Sequence, residues 1–259
     1  MSRTYVITGS GSGIGKATAN ILRERGNTVV GVDLKNAEVI ADLSTPAGRQ
    51  QAVQEVLSHT PNIDAIIACA GISAPKALTV AINYFGVTEF VEGLVPTLVK
   101  SAAPRIAIIS SAASLQPNSA ELVNALLEND EPKALAIGEQ LAQQGAKTGY
   151  LNYPSSKRAI SRWIRQVATT ERYAGQHIPI NAVGPGVVIT EMTKELLASE
   201  ETRKGMDEGM PMPLNYHARD VDVANLLIWL TSVENTHVTG QTIFIDGGAD
   251  VVMRGDDIW

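Results

Sequence analysis

The chain has 259 residues, a net charge of −6, 44% hydrophobic residues and 19% charged residues. This is an ordinary globular balance, long enough to bury a full core in one large α/β domain. No basic cluster is present, which argues against nucleic acid or an anionic membrane surface as partner, and a single cysteine, Cys69, excludes an internal disulfide framework.

A lone cysteine suits a reducing compartment. The first strand begins almost at once, leaving no room for a signal peptide, and no apolar run reads as long enough to span a bilayer. The expectation is a soluble, cytoplasmic protein.

Short apolar runs alternate with longer amphipathic ones. Strands are expected at residues 5–8, 28–33, 63–68, 106–110, 178–182 and 242–245, with a weaker one at 39–40. Their near-continuous apolar character suits a parallel sheet covered on both faces. Helical patterns lie between them at 15–25, 47–58, 82–100, 156–173 and 221–231. Gly26 is placed to end the first helix and Asp220 to cap the last. The alternation predicts an α/β, Rossmann-type doubly wound parallel sheet of about seven strands in a single domain.

Two stretches stand apart. Residues 115–149 read as a polar, helical insertion. Residues 191–217 carry Met192, Met206, Met210 and Met212 with Pro211 and Pro213, and read as a mobile lid. Methionine adapts to irregular apolar ligands, although a loop packed on the core is an equal alternative for any one of them.

The segment Thr8-Gly9-Ser10-Gly11-Ser12-Gly13-Ile14-Gly15 follows the first strand and opens the first helix. Strict G-x-G-x-x-G spacing is absent, because position 16 is Lys; Gly9, Gly13 and Gly15 fit T-G-x-x-x-G-x-G instead. Glycines at such a turn let backbone N–H groups and a helix N-terminus hold a pyrophosphate. Asp33 ends the next strand, where a carboxylate can accept both hydroxyls of an adenosine ribose and repel a 2′-phosphate. Ser12 and Leu34 supply no compensating cation, although Lys35 is close, so NAD is favoured over NADP.

Tyr153 and Lys157 lie four residues apart, one helical turn from each other. A cation there favours the phenolate, turning a weak acid into a usable proton donor and acceptor. A dinucleotide site followed by a proton-transfer pair points to hydride transfer to or from a carbonyl.

Thr8 to Gly15, Tyr153-Pro-Ser-Ser-Lys157 and Pro185-Gly186 together resemble the short-chain dehydrogenase/reductase family, and the resemblance runs to Thr239-Gly240-Gln241 and Asp246-Gly247-Gly248. Residues 31–48, Asn83-Tyr84-Phe85-Gly86 and the long insertion before Tyr153 are similar to its bacterial hydroxysteroid dehydrogenase/carbonyl reductase branch. The resemblance implies that Asp42 and Leu43 flank the adenine, and that Cys69, Ala70 and Gly71 line the ribose side. Both asparagines of the family's N-N-A-G motif are missing from Ala68-Cys69-Ala70-Gly71. Cys69 there reads as a small buried hydrophobe rather than a reactive thiol. The stretch from Pro185 and Gly186 to Thr190 would meet the nicotinamide, Val188 through its backbone and Thr190 through the carboxamide.

The resemblance further implies Tyr153 as general acid/base and Lys157 as both its electrostatic partner and a ligand of the nicotinamide ribose. Ser111 would bond the substrate oxygen. Ser110 is the rival at the same strand end, and successive strand residues face opposite ways. Asn83 would hold a water linking Lys157 to solvent.

No metal-binding spacing of Cys and His and no G-x-S-x-G elbow occurs. Enoyl reductases of the family place the tyrosine farther from the lysine. The expected substrate is therefore a small-molecule alcohol or ketone. The alternatives are a non-catalytic dinucleotide-binding redox sensor and an NADPH-linked reductase of small ketones. Family members are usually oligomers, so a homo-dimer or homo-tetramer is expected.

Overall fold

The structure, a computed structural model, describes residues 2–258. Nine strands occur in chain order: β1 (Thr4–Thr8), β2 (Thr28–Asp33), β3 (Val39–Ile40), β4 (Ala65–Ala68), β5 (Arg105–Ile109), β6 (Ile180–Pro185), β7 (Val188–Ile189), β8 (Ala218–Arg219) and β9 (Thr242–Ile245). Seven form one sheet in the order β3-β2-β1-β4-β5-β6-β9, every pair parallel. β7 and β8 pair separately, a two-stranded parallel element that the sequence pattern did not announce.

The two faces of the sheet feed two cores. Val6, Ile66, Ile106 and Ile108 point into one, while Tyr5, Ile7, Ile67 and Ala107 point into the other. Side chains alternate across a strand, so burial on both faces demands the continuous apolar runs seen in the sequence. The strand order reverses between β1 and β4, the usual place for a crevice at the carboxyl ends of an open sheet.

Helices Gly13–Glu24, Pro46–His59, Leu78–Leu98, Asn152–Val167 and Asp220–Leu230 cover the sheet. All five begin earlier than the apolar periodicity suggested, three of them by two to four residues, at 13, 78 and 152; glycines and polar residues form the first turns at 13 and 152. The expected helix at 156–173 stops at Val167, and the chain from Ala174 to Gln176 turns as a short 3-10 segment. Gly26 does end the first helix, at φ +77°, with Asn27 N–H donating to Leu22 O. Asp220 is not the cap of the last helix. It is the first helical residue; Arg219 precedes it, and Asp222 accepts the Arg219 N–H at 2.8 Å.

The expectation about membrane spans also needs correction. Leu78–Leu98 is long and apolar enough to cross a bilayer by length and composition, but 72% of its most apolar window is buried inside the protein. It is a core helix, carrying Phe85, Phe90, Val91 and Leu94 into the interior.

Residues 115–149 hold the helices Ala120–Leu127, Glu131–Gln143 and Ala146–Gly149. Their polar composition hides an apolar face: Leu122, Val123, Ala125, Leu126 and Ala134 join the larger core. In residues 191–217, the helix Glu200–Gly209 buries no residue.

Candidate active site

β1 runs into the glycine-rich turn, and the helix Gly13–Glu24 starts inside it. Gly9 sits at φ +70° and Gly13 at φ +48°, left-handed backbone that other residues disfavour. A Cβ on Gly15 would come 2.2 Å from Gly9 O, so the turn closes only without one. Ser12 precedes the helix without capping it, and the first turn carries no acid. The free N–H groups and the positive end of the helix dipole therefore suit an anionic pyrophosphate. At the end of β2, Asp33 accepts N–H bonds from Gly11 at 2.9 Å and from Leu34 at 2.7 Å. Each oxygen keeps a lone pair for a further donor such as a ribose hydroxyl.

A cavity of about 340 Å³ runs along the carboxyl edge of the sheet. The cofactor residues expected from the sequence all line it, from the glycine turn and Asp33 through Asp42, Leu43 and Cys69 to Val188 and Thr190. Sequence reasoning missed Val32, Ala41, Ile72, Ile82, Glu191 and Thr193, which also line it. Val32 and Ala41 adjoin Asp33 and Asp42 at strand ends, a proximity that would have pointed to them. Ile72 and Ile82 likewise adjoin Gly71 and Asn83.

The chemistry-bearing side chains gather at the floor. Ser110 and Ser111 follow β5 and diverge as strand geometry requires. Ser110 Oγ donates to Lys157 O at 3.0 Å and pairs with Ser161 Oγ at 2.8 Å, so it ties the sheet to the helix Asn152–Val167. Ser111 caps the short turn Ala112–Leu115, accepting from Ala113 N at 3.1 Å, and its hydroxyl donates to Pro185 O at 3.5 Å. Lys157 is 3% exposed and donates to Ile109 O at 2.9 Å. Its ammonium lies 5.9 Å from the Tyr153 ring centroid.

Among the protein's own groups, the Tyr153 phenol is not made more acidic. Burial raises its pKa above the usual phenol range, and only the Ser111 hydroxyl opposes the rise. Burial likewise pulls Lys157 down to about 8 and pushes the neighbouring Cys69 thiol up to about 12. In the chain alone, desolvation of the phenolate therefore sets the direction at Tyr153, and Lys157 is not among the causes that oppose it. At that pKa the Cys69 thiol, which is partly exposed to the cavity, stays protonated near neutral pH.

Asn83 does not line the cavity. It is fully buried in a π-helical turn, Ala81–Phe85, inside Leu78–Leu98. Its Oδ1 accepts from Ile72 N at 2.9 Å, and its Nδ2 donates to Ile72 O and Ser156 Oγ. Both amide hydrogens are spent on protein, so the side chain braces the loop after β4 rather than donating to a water. A Cβ built on Gly71 would nonetheless sit 3.1 Å from Asn83 Oδ1 and 3.4 Å from Lys157 Nζ, which shows how close the three residues lie.

The two ends of the segment 191–217 are clamped by β7 and β8, and Ala218 N donates to Val187 O at 3.1 Å. Met210, Met206 and Met212 pack with Val187, Ala112 and Tyr153, forming an apolar wall beside the phenol. Met192 lines the cavity and is half exposed. Three of the four methionines therefore belong to a packed cluster and one to the cavity rim.

A family model described as enoyl-(acyl carrier protein) reductase matches residues 9–250. The chain is 36% identical, over 96% of its length and 97% of the relative, to a 3-alpha-hydroxysteroid dehydrogenase/carbonyl reductase of Comamonas testosteroni. It is 27% identical to a 3-oxoacyl-(acyl-carrier-protein) reductase of Thermotoga maritima, covering 95% of this chain and 97% of that one. Among solved structures, the 3-alpha-hydroxysteroid dehydrogenase of Pseudomonas sp. B-0831 complexed with NADH superposes with a TM-score of 0.88 at 34% identity, covering 98% of this chain and 100% of that one.

Proposed function

The chain belongs to the short-chain dehydrogenase/reductase family, and from that premise we propose that it interconverts a secondary alcohol and a ketone with NAD, on hydroxysteroid-like substrates. It is an oxidoreductase that uses a nicotinamide dinucleotide. The observation that carries the finer reading is the convergence of Ser111, Tyr153 and Lys157 on one wall of a cavity whose other end is Asp33.

A bound dinucleotide supplies hydride donation or acceptance; the rest is the work of this chain. In the reducing direction Tyr153 donates its phenolic proton to the substrate oxygen, and Ser111 donates a hydrogen bond to the same atom, steadying the charge that develops there. In the oxidising direction Tyr153 accepts the alcohol proton. Burial keeps Tyr153 protonated well into the alkaline range, so oxidation needs added positive charge, which Lys157 and an oxidised nicotinamide ring would supply. Lys157, held by Ile109 O, would also bond the nicotinamide ribose. Asp33 would bond the adenosine ribose and disfavour a 2′-phosphate. Asn83 positions the loop that carries Gly71 beside Lys157.

The Met cluster and the segment 191–217 form an adaptable apolar lid over the substrate. The four-residue spacing of Tyr153 and Lys157 favours carbonyl chemistry over the enoyl reduction that the family model's description names. A homo-oligomer is also part of this reading; because residues 115–149 pack on the helix Asn152–Val167, the contact would use another face. A reducing cytoplasm suits the free Cys69.

The test is the NADH signal on mixing the protein with NAD and a pair of 3α- and 3β-hydroxysteroids, repeated with NADP and with Asp33→Ala. Turnover of one epimer with NAD, and a narrowed cofactor preference in the variant, are expected. An unchanged preference removes Asp33 from the site. Binding of NAD without any turnover would revive the sensor reading.

A further inference from the structure

Among the described residues Arg49 is the bulkiest fully buried side chain, and the proposed reaction does not use it. It lies on the helix Pro46–His59, directly after the loop that carries Asp42 and Leu43. Its guanidinium reaches three separate segments. Nε donates to Glu89 Oε2 at 2.7 Å, on the core helix Leu78–Leu98. Nη2 donates to Glu131 Oε2 at 2.6 Å, at the first residue of the inserted helix Glu131–Gln143. Nη1 turns back to Leu43 O at 3.4 Å and Ser44 O at 3.5 Å.

A planar fork with five donors can serve all of these at once, which a lysine cannot. The two carbonyl contacts are long, so the loop is held by attraction to a charge whose place the carboxylates set. The loop has little other freedom: a Cβ on Gly48 would come 1.9 Å from Asp42 O, and Ser44 N–H donates to Asp42 Oδ1 at 2.9 Å.

Asp42 and Leu43 line the end of the cavity assigned to adenine. We propose that Arg49 is a positioning residue for that adenine wall, and that Glu131 fixes Arg49, so that the helical insertion tunes affinity for the adenosine half of the cofactor. The inference rests on the dinucleotide reading given above. Without the Glu131 carboxylate, the fork keeps only Glu89 as a charged anchor. The guanidinium then swings toward Glu89, and the carbonyls of Leu43 and Ser44 lose their fixed partner.

The experiment is calorimetric titration of the full chain with ADP-ribose and, separately, with nicotinamide mononucleotide, for wild type, Glu131→Gln and Arg49→Lys. Steady-state KM for NAD and kcat are measured beside them. Both variants are expected to bind ADP-ribose about 3- to 30-fold more weakly, the range of coupling through a shared network. KM for NAD should rise by the same factor, with kcat and nicotinamide mononucleotide affinity unchanged. A folded Glu131→Gln whose ADP-ribose affinity stays within roughly twofold of wild type overturns the proposal. Equal loss for both half-ligands, with a fall in kcat, also overturns it, since that marks general loosening. If Arg49→Lys does not fold, Glu131→Gln decides alone, because it keeps side-chain shape at a helix end. A wild type that ignores ADP-ribose refutes the dinucleotide reading itself, a different failure from an insensitive variant.

Discussion

Two segments interrupt the regular succession of strands and helices, and they are held in opposite ways. Residues 115–149 send Leu122, Leu126 and Ala134 into the main core, where all three are fully buried, and lead directly into the helix that carries Tyr153 and Lys157. Residues 191–217 bury Met210 alone; their helix Glu200–Gly209 buries no residue and packs through the partly buried Met206, and their ends are clamped by a pair of two-residue strands. Only the second lines the cavity, through Glu191, Met192 and Thr193; the first braces the helix that carries Tyr153 and Lys157 without reaching the cavity wall. The contrast teaches how a rigid proton-transfer floor and an adaptable roof can share one site: burial over-determines the first, while the second rests on a few soft contacts.

The largest expected effect falls on the rigid side. Tyr153→Phe removes the proton donor without changing the fold, and kcat should drop roughly 10²–10⁴-fold, the usual share of a general acid/base. An unchanged kcat, measured at saturating cofactor, would take the proton step away from Tyr153.

Next comes a stability comparison that can dissolve the contrast altogether. Leu126→Ala should cost about 2–5 kcal/mol as a core truncation, whereas Leu196→Ala in the half-exposed 191–217 segment should stay within about 0.5 kcal/mol. Urea unfolding of both variants measures this, and equal losses would mean that the two segments are built alike.

A third prediction concerns pH. The folded pKa of Lys157 is about 8, below its ordinary value of 10.5, because burial disfavours the ammonium. Below pH 8 both folded and unfolded chains bind the proton, and the folded state carries the full penalty. Between about 8 and 10.5 the unfolded chain binds more protons, so this group's contribution to stability rises with pH, by up to roughly 3 kcal/mol. Lys157→Met should therefore be more stabilising relative to wild type at pH 7 than at pH 10.5. A difference independent of pH would mean that the ammonium is well solvated.

The smallest effect is the most direct view of the roof. Brief trypsin treatment should cut first after Lys194, Arg203 or Lys204, all in the exposed segment. Resistance there, with early cleavage after Lys133 or Lys147, would reverse the assignment of rigid and soft sides.

Much of this architecture is legible from the order of residues. The continuous apolar runs determined a parallel sheet buried on both faces, and all seven main strands fall within three residues of expectation because two-sided burial keeps most of their positions apolar. The glycine turn, Asp33, Tyr153 and Lys157 were readable because each needs a residue type that backbone or proton chemistry makes hard to replace. Gly26 declared the end of its helix by its left-handed conformation.

Other features were decided only by tertiary structure. Resemblance had already named Ser111, but that Ser110 is held by Lys157 O and Ser161 Oγ is visible only in the fold. The brace made by Asn83 depends on a π turn that brings its amide to Ile72. The acidity of Tyr153 depends on how much water the surrounding core removes. The role of Arg49 depends on Glu89 and Glu131, 40 and 82 residues away in sequence. Local pattern determines which element forms, because periodicity and caps act over a few residues. Burial and charge pairing across distant segments decide what a side chain can do, because desolvation and Coulomb terms depend on neighbours that only the folded chain supplies.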